Sequence, residues 1–144
     1  VRTIIDSQHR VNDDARVFES PAPVWLVRTT PGKDTRHPHC HELIIDADKD
    51  GKVCLKALMV ELAKREINQV WTECGASLAG ALIEQQLCDR MMIYSSGQIL
   101  GHHGRSVIDM SEPLELASAP RFKVIDRRQV GPDQRLVAVP QTQD

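Results

Sequence analysis

Three segments of this 144-residue sequence combine residue types that could do chemistry. The first is Asp46-Ala47-Asp48-Lys49-Asp50-Gly51, which sets carboxylates at alternate positions and follows them with glycine, as an EF-hand calcium loop opens. Its closing position is Ala57, where calcium needs a bidentate glutamate, and His41 to Ile45 reads as loop and strand instead of an incoming helix. A solvated turn is expected there, its acids favouring the N-terminus of the helix that follows. The second is His37-Pro38-His39-Cys40-His41, where an extended chain would put three imidazoles on one face beside a thiol. Ligands so close together rarely complete a tetrahedral shell, and the other histidine pair, His102-His103, stands far off in sequence. We expect a polar loop and no metal. The distant P-C-x-x-C of a zinc nucleotide deaminase is absent.

The third segment is Trp71-Thr72-Glu73-Cys74-Gly75-Ala76-Ser77-Leu78-Ala79-Gly80-Ala81-Leu82. Small residues where a strand meets a helix let a ligand approach the backbone, and a helix N-terminus offers unpaired N–H groups to a phosphate. Gly75 and Gly80 have P-loop spacing, but Ala81-Leu82 stands where Lys-Ser/Thr is required, so NTP hydrolysis is not supported. The segment is not a G-x-G-x-x-G fingerprint either, and a tight turn packed on a sheet fits the spacing equally well. Glu73 is expected at the carboxyl end of a buried strand, where open α/β sheets bind ligands.

The flanking elements must position these segments. Arg2 to Asp6, Val24 to Val27 and Leu43 to Ile45 are short apolar runs with the continuous character of buried parallel strands. Leu55, Leu58, Met59, Leu62 and Ala63 recur at three- and four-residue steps, predicting an amphipathic helix from about Lys52 to Glu66. A strand is predicted over Gln69 to Glu73, then a helix capped by Ser77 and running to about Gln86, then a strand over Arg90 to Tyr94. Residues 96 to 119 read as irregular, punctuated by Gly97, Gly101, Gly104 and Pro113. Phe122 to Val130 and Leu136 to Val139, separated by Gly131-Pro132-Asp133-Gln134, predict an antiparallel hairpin. Alternating strands and helices argue for crossover units and a mostly parallel sheet with flanking helices, in one α/β domain over residues 1 to 144.

Composition removes several classes. With 18 basic and 20 acidic residues, the net charge of −2 offers no excess to neutralise a nucleic-acid backbone. No apolar run reaches a membrane span, and 41% hydrophobic content is enough for a globular core, so a soluble, cytoplasmic protein is expected. Cys40, Cys54, Cys74 and Cys88 are widely spaced and read as free thiols.

Taken together, the segment from Val70 to Leu82 resembles the cofactor-loop signature of the reductase domain in bifunctional riboflavin-biosynthesis deaminase/reductases. Ile4-Ile5-Asp6-Ser7, Leu87-Cys88-Asp89, Ile99-Leu100-Gly101 and Val130-Gly131-Pro132-Asp133-Gln134-Arg135-Leu136 match the same domain in order. The resemblance implies a dihydrofolate-reductase-like fold and NADPH-dependent reduction of 5-amino-6-(5-phosphoribosylamino)uracil. Hydride would reach the sugar carbon that carries the amine, once the ribose has opened to an imine. By the same resemblance, Glu73 would lie beside the substrate. Gly75, Ala76, Ser77, Leu78, Ala79, Gly80 and Ala81 would form the NADPH phosphate loop, and Ser7 would be a further cofactor contact. No residue is assigned as catalytic acid or base. Cys74 departs from the smaller residue usual in the family, and Gln98 from a common lysine. Aligned to the family, the chain starts at Val1 in the equivalent of mid-domain and carries no deaminase domain. The expectation is therefore the C-terminal portion of a reductase domain, forming a homodimer. The alternatives are a non-catalytic nucleotide-binding fragment and a related pteridine or folate reductase.

Overall fold

The computed structural model describes residues 1–32, 37–112 and 115–141, which divide into two compact units, Val1–Val70 and Trp71–Asp144. Pro113 lies outside the described residues.

In the first unit, β1 (Arg2–Ile5), β2 (Val24–Arg28) and β3 (Cys40–Ile44) form a parallel sheet in that order. The register sets Ile4 beside Leu26 and Leu26 beside Glu42. The unbroken apolar run of β2 has a direct cause, because both faces of this central strand are covered. Val24 and Leu26 pack with Phe18 and Cys40 on one face. Val27 packs with Leu43, Ile45, Val53, Leu58 and Leu62 on the other. Leu58 and Leu62 come from α1 (Leu55–Lys64), one four-residue step apart on one helical face, and Val53 stands just before it. The third strand starts at Cys40 instead of Leu43, drawing Cys40 and His41 of the histidine-bearing segment into the sheet. His41 is exposed there, opposite Trp25, while Cys40 turns into the core.

The second unit begins with α2 (Ala76–Glu84), followed by β4 (Met91–Ser95), β5 (Phe122–Val130) and β6 (Asp133–Pro140). These strands form an antiparallel sheet in the order β4-β6-β5, with Val137 and Ala138 of the central strand buried. Its hairpin turns on only Gly131-Pro132, tighter than the four residues expected, because Val130 pairs directly with Asp133. Gly131 has φ +58°, and a glycine with positive φ before a proline fits a type II′ turn.

Both helices end in the same way. Glu66 and Gln86 adopt positive φ, and the next residues, Ile67 and Leu87, donate back to Leu62 and Leu82. These are Schellman closures, formed here without glycine. Two expectations fail. Residues 69 to 73 are not a strand: no described strand pairs with them, and β-propensity without a partner ladder does not make one. Ser77 does not cap α2 either, because the helix begins at Ala76 with Gly75 in the cap position.

Candidate functional site

The site segments predicted from sequence fall in both units. In the second, α2 starts from Gly75 with extended backbone (φ −76°, ψ 169°) and no side chain capping it. The first helical hydrogen bond runs from Ala79 N–H to Gly75 O at 3.1 Å. The N–H groups of Ala76, Ser77 and Leu78 therefore remain without an intrahelical acceptor. No acidic residue stands in this turn, and a side chain added at Gly75 would meet open space. Free donors, the positive end of the helix dipole and clear access are what an anionic phosphate requires.

Gly80 does different work. A Cβ there would fall 1.9 Å from the Asp109 carbonyl oxygen, because residues 109 to 111 lie directly on the helix. Asp109 N–H donates to Ala76 O at 3.1 Å, and Ser111 gives its N–H and hydroxyl to Glu84 Oε1 at 2.7 and 2.8 Å. The glycine is needed so that a strap of backbone can close on α2, and it faces that strap. Leu78, Ala79 and Ala81 are half-buried on the same helix, while Ser77 is exposed.

Glu73 is not at the end of a buried strand. It is exposed in the irregular segment before α2, and its Oε1 accepts the Trp71 indole N–H at 3.1 Å. Partial desolvation pushes the thiol pKa up at exposed Cys74 and half-buried Cys88, which disfavours the reactive thiolate.

In the first unit, Ser7 follows β1 and its Oγ accepts the Val53 N–H at 3.1 Å. Beside it lies a group that sequence reasoning missed. Asp6, Arg28 and Glu42 share one sheet face by strand parity, since they continue the rows of Ile4, Leu26 and Cys40. Arg28 donates through Nε and Nη2 to Asp6 Oδ2 at 3.0 and 2.8 Å, and through Nη1 to Glu42 Oε1. Burial alone would lower the Arg28 pKa, but its hydrogen bonds to Asp6 and Glu42 hold it above the ordinary value. The available signal was an acid and a base ending two successive apolar runs, Ile4-Ile5-Asp6 and Leu26-Val27-Arg28.

The two discounted loops have structural roles. His37 stacks on Phe18 with ring centroids 4.4 Å apart, and its Nε2 lies 2.6 Å from the Asp13 carbonyl. Asp48 Oδ1 accepts the N–H groups of Asp50 and Lys52 at 2.9 Å each, with Gly51 at φ +72°, which makes a local turn.

The fold and site define an α/β protein with a helix whose first N–H groups have no intrahelical acceptor. Comparison with known proteins is more specific. The model of the RibD C-terminal domain family matches residues 1–136, and this chain belongs to that family. The riboflavin biosynthesis protein RibD of Haemophilus influenzae is 38% identical over 141 residues, covering 97% of this chain and 37% of that protein. The 5-amino-6-(5-phosphoribosylamino)uracil reductase of Buchnera aphidicola is 33% identical, covering 97% of this chain and 67% of that protein. The structure of Acinetobacter baumannii RibD superposes with a TM-score of 0.84 at 27% identity, over 97% of this chain and 37% of the other. This chain thus spans little more than a third of the RibD proteins it matches.

Proposed function

We propose that this chain reduces 5-amino-6-(5-phosphoribosylamino)uracil to the ribityl product with NADPH, as the reductase part of a riboflavin-biosynthesis protein. The observation that carries the reading is family membership across residues 1–136, a span that includes the open α2 N-terminus. The same span crosses the boundary between the two units, which supports reading both as parts of one reductase domain.

The residues fit a phosphate-bearing cofactor, because three N–H donors and a glycine cradle meet where no acid competes. When bound, NADPH supplies the hydride, and the protein's task is binding and orientation. Gly75 gives the cradle its open access, and Ala76, Ser77 and Leu78 hold phosphate oxygens through their backbone N–H groups. Ala79, Gly80 and Ala81 complete the loop, with Gly80 keeping the helix slim under the 109–111 strap. Ser7 holds a further part of the cofactor. Glu73, an acceptor when ionised, orients the substrate's N–H and O–H groups with the oxygen that Trp71 leaves open.

The protein acts on a small molecule as a cytoplasmic homodimer. Among the described residues no helix is long and apolar enough to cross a membrane. Among the described residues no strand lies beside the outer edge of β5, which exposes Val124, Ile125 and Val130, a surface suited to a second copy.

The test is steady-state kinetics of Glu73→Gln beside direct NADPH titration. Turnover should fall by roughly 10- to 100-fold while NADPH affinity stays within about twofold. Equal loss of both would remove Glu73 from the substrate side. NADPH binding by the unsubstituted protein without turnover would leave only a nucleotide-binding module.

A further inference from the structure

The first sheet ends in a buried charged group that the reductase reading does not use. The side chains of Asp6 and Arg28 are only 3% and 6% exposed, while that of Glu42 is a quarter exposed. Burying a guanidinium among apolar residues is costly unless every N–H it presents is satisfied in good geometry. Here it is spent on joining the ends of β1 and β2 to β3, a strand that has no direct ladder with β1. Nε and Nη2 hold Asp6, just past β1. Nη1 holds Glu42 within β3, while Arg28 itself ends β2.

Each acid passes the constraint on to a loop. Asp6 Oδ1 accepts the Arg10 N–H at 2.7 Å, and Asp6 O accepts the His9 N–H at 3.1 Å, which closes the Ser7–Arg10 turn. That turn is tight enough to force His9 to φ +53°, a conformation L residues rarely adopt. Both oxygens of Glu42 accept the Gly32 N–H, at 3.1 and 3.2 Å. The loop comes so near that a Cβ at Gly32 would fall 2.2 Å from Arg28 Nη1 and 2.8 Å from His9 Nδ1. His9 in turn meets Thr30 Oγ1 at 3.2 Å. The loops after β1 and β2 are therefore pressed together over one guanidinium.

Ser7 is the residue this arrangement fixes. Its Oγ accepts the Val53 N–H, so one lone pair is engaged and its own hydrogen remains to be donated. At the carboxyl end of a parallel strand, where open α/β sheets bind ligands, that hydrogen is available to a ligand oxygen.

We propose that Asp6, Arg28 and Glu42 are positioning residues that hold the Ser7–Arg10 turn in the conformation in which Ser7 donates to an oxygen of the bound dinucleotide. The proposal rests on the NADPH reading given above. A lysine at 28 keeps the charge but cannot hold Asp6 through two nitrogens while also reaching Glu42.

The test compares the unsubstituted protein with Arg28→Lys and the milder Glu42→Gln, using NADPH itself as the probe. Tryptophan-fluorescence titration gives its Kd, steady-state kinetics give KM and kcat, and amide hydrogen exchange is read at Arg10 and Gly32. For Arg28→Lys, Kd and KM for NADPH should rise roughly 10- to 100-fold, with kcat at saturating NADPH within about twofold. Exchange at Arg10 and Gly32 should quicken by about tenfold while α1 amides keep their rates. Glu42→Gln should quicken Gly32 alone and raise Kd less. A purely structural role would reduce the folded fraction without altering the Kd of what remains folded. If the unsubstituted protein binds NADPH and both variants bind it equally well, the positioning role is overturned and the cofactor reading stands. If the unsubstituted protein does not bind NADPH, the cofactor reading fails and the positioning role goes with it. Should Arg28→Lys not fold, unchanged Gly32 exchange and unchanged Kd in Glu42→Gln overturn the proposal.

Discussion

Replacing Gly80 with alanine gives a prediction whose sign alone is informative. Gly80 sits within α2, and at an unobstructed helix interior Gly→Ala stabilises by about 1 kcal/mol. Here the new methyl carbon would lie 1.9 Å from the Asp109 carbonyl oxygen and 2.8 Å from its carbon. Backbone cannot swing aside as a side-chain tip can, so the 109–111 strap must withdraw by about 1 Å or more. Overpacking of this kind costs about 1–3 kcal/mol. Withdrawal also strains the Asp109–Ala76 hydrogen bond and the two from Ser111 to Glu84, each worth about 0.5–1.5 kcal/mol net. Set against the helix-propensity gain, the expected balance is a destabilisation of about 1–3 kcal/mol. For a chain of this length that lowers Tm by roughly 3–10 °C. Urea denaturation with an unchanged m-value would confirm a native-state effect, and amide exchange at Asp109 should quicken selectively. A rise in Tm, or unaltered exchange at Asp109, would refute the reasoning, because Gly80 would then not be holding the strap.

Other perturbations test other parts of the structure. Leu58→Ala empties a position 2% exposed at the centre of the first unit's core and should cost about 2–5 kcal/mol by urea denaturation. A cost under about 1 kcal/mol would mean that the cluster is loosely packed. Gly131→Ala forces an L residue into φ +58° at the hairpin and should cost about 1–2 kcal/mol; no loss would argue for a different turn. The Asp126 carboxyl is held below its usual pKa first by the Arg135 hydrogen bond, with Arg128 adding to it. A lowered folded-state pKa stabilises above the ordinary aspartate value and loses that contribution as pH falls through the depressed value. The stability gap between the protein and Asp126→Asn should therefore be present at pH 7 and shrink in acid, and a gap independent of pH would contradict the pairing.

The parts of the fold legible in the sequence were those decided locally. The spacing of Leu55, Leu58 and Leu62 marked α1, and the unbroken run Val24 to Val27 marked a strand covered on both faces. Gly131-Pro132 marked the hairpin. What escaped depended on partners distant in sequence. Val70-Trp71-Thr72 has strand-forming residues but no strand pairs with it among the described residues, so Glu73 is exposed in a loop. The closeness of Gly80 to the Asp109 backbone is visible only in the structure, because the strap lies far from the helix in sequence. The Asp6–Arg28–Glu42 group is visible only once the parallel register puts residues 22 and 14 positions apart on one face. The α2 N-terminus was anticipated because small residues at a helix start are a local signal, although the cap is Gly75 and not Ser77.

The central proposal is that this chain is part of an NADPH-dependent aminouracil reductase. It is tested most directly by following NADPH absorbance after adding 5-amino-6-(5-phosphoribosylamino)uracil to the purified intact protein. The account predicts saturable oxidation of NADPH that requires the substrate, with formation of one ribityl product per NADPH consumed. Failure of the protein to bind NADPH, or oxidation that proceeds equally without the substrate, would contradict it.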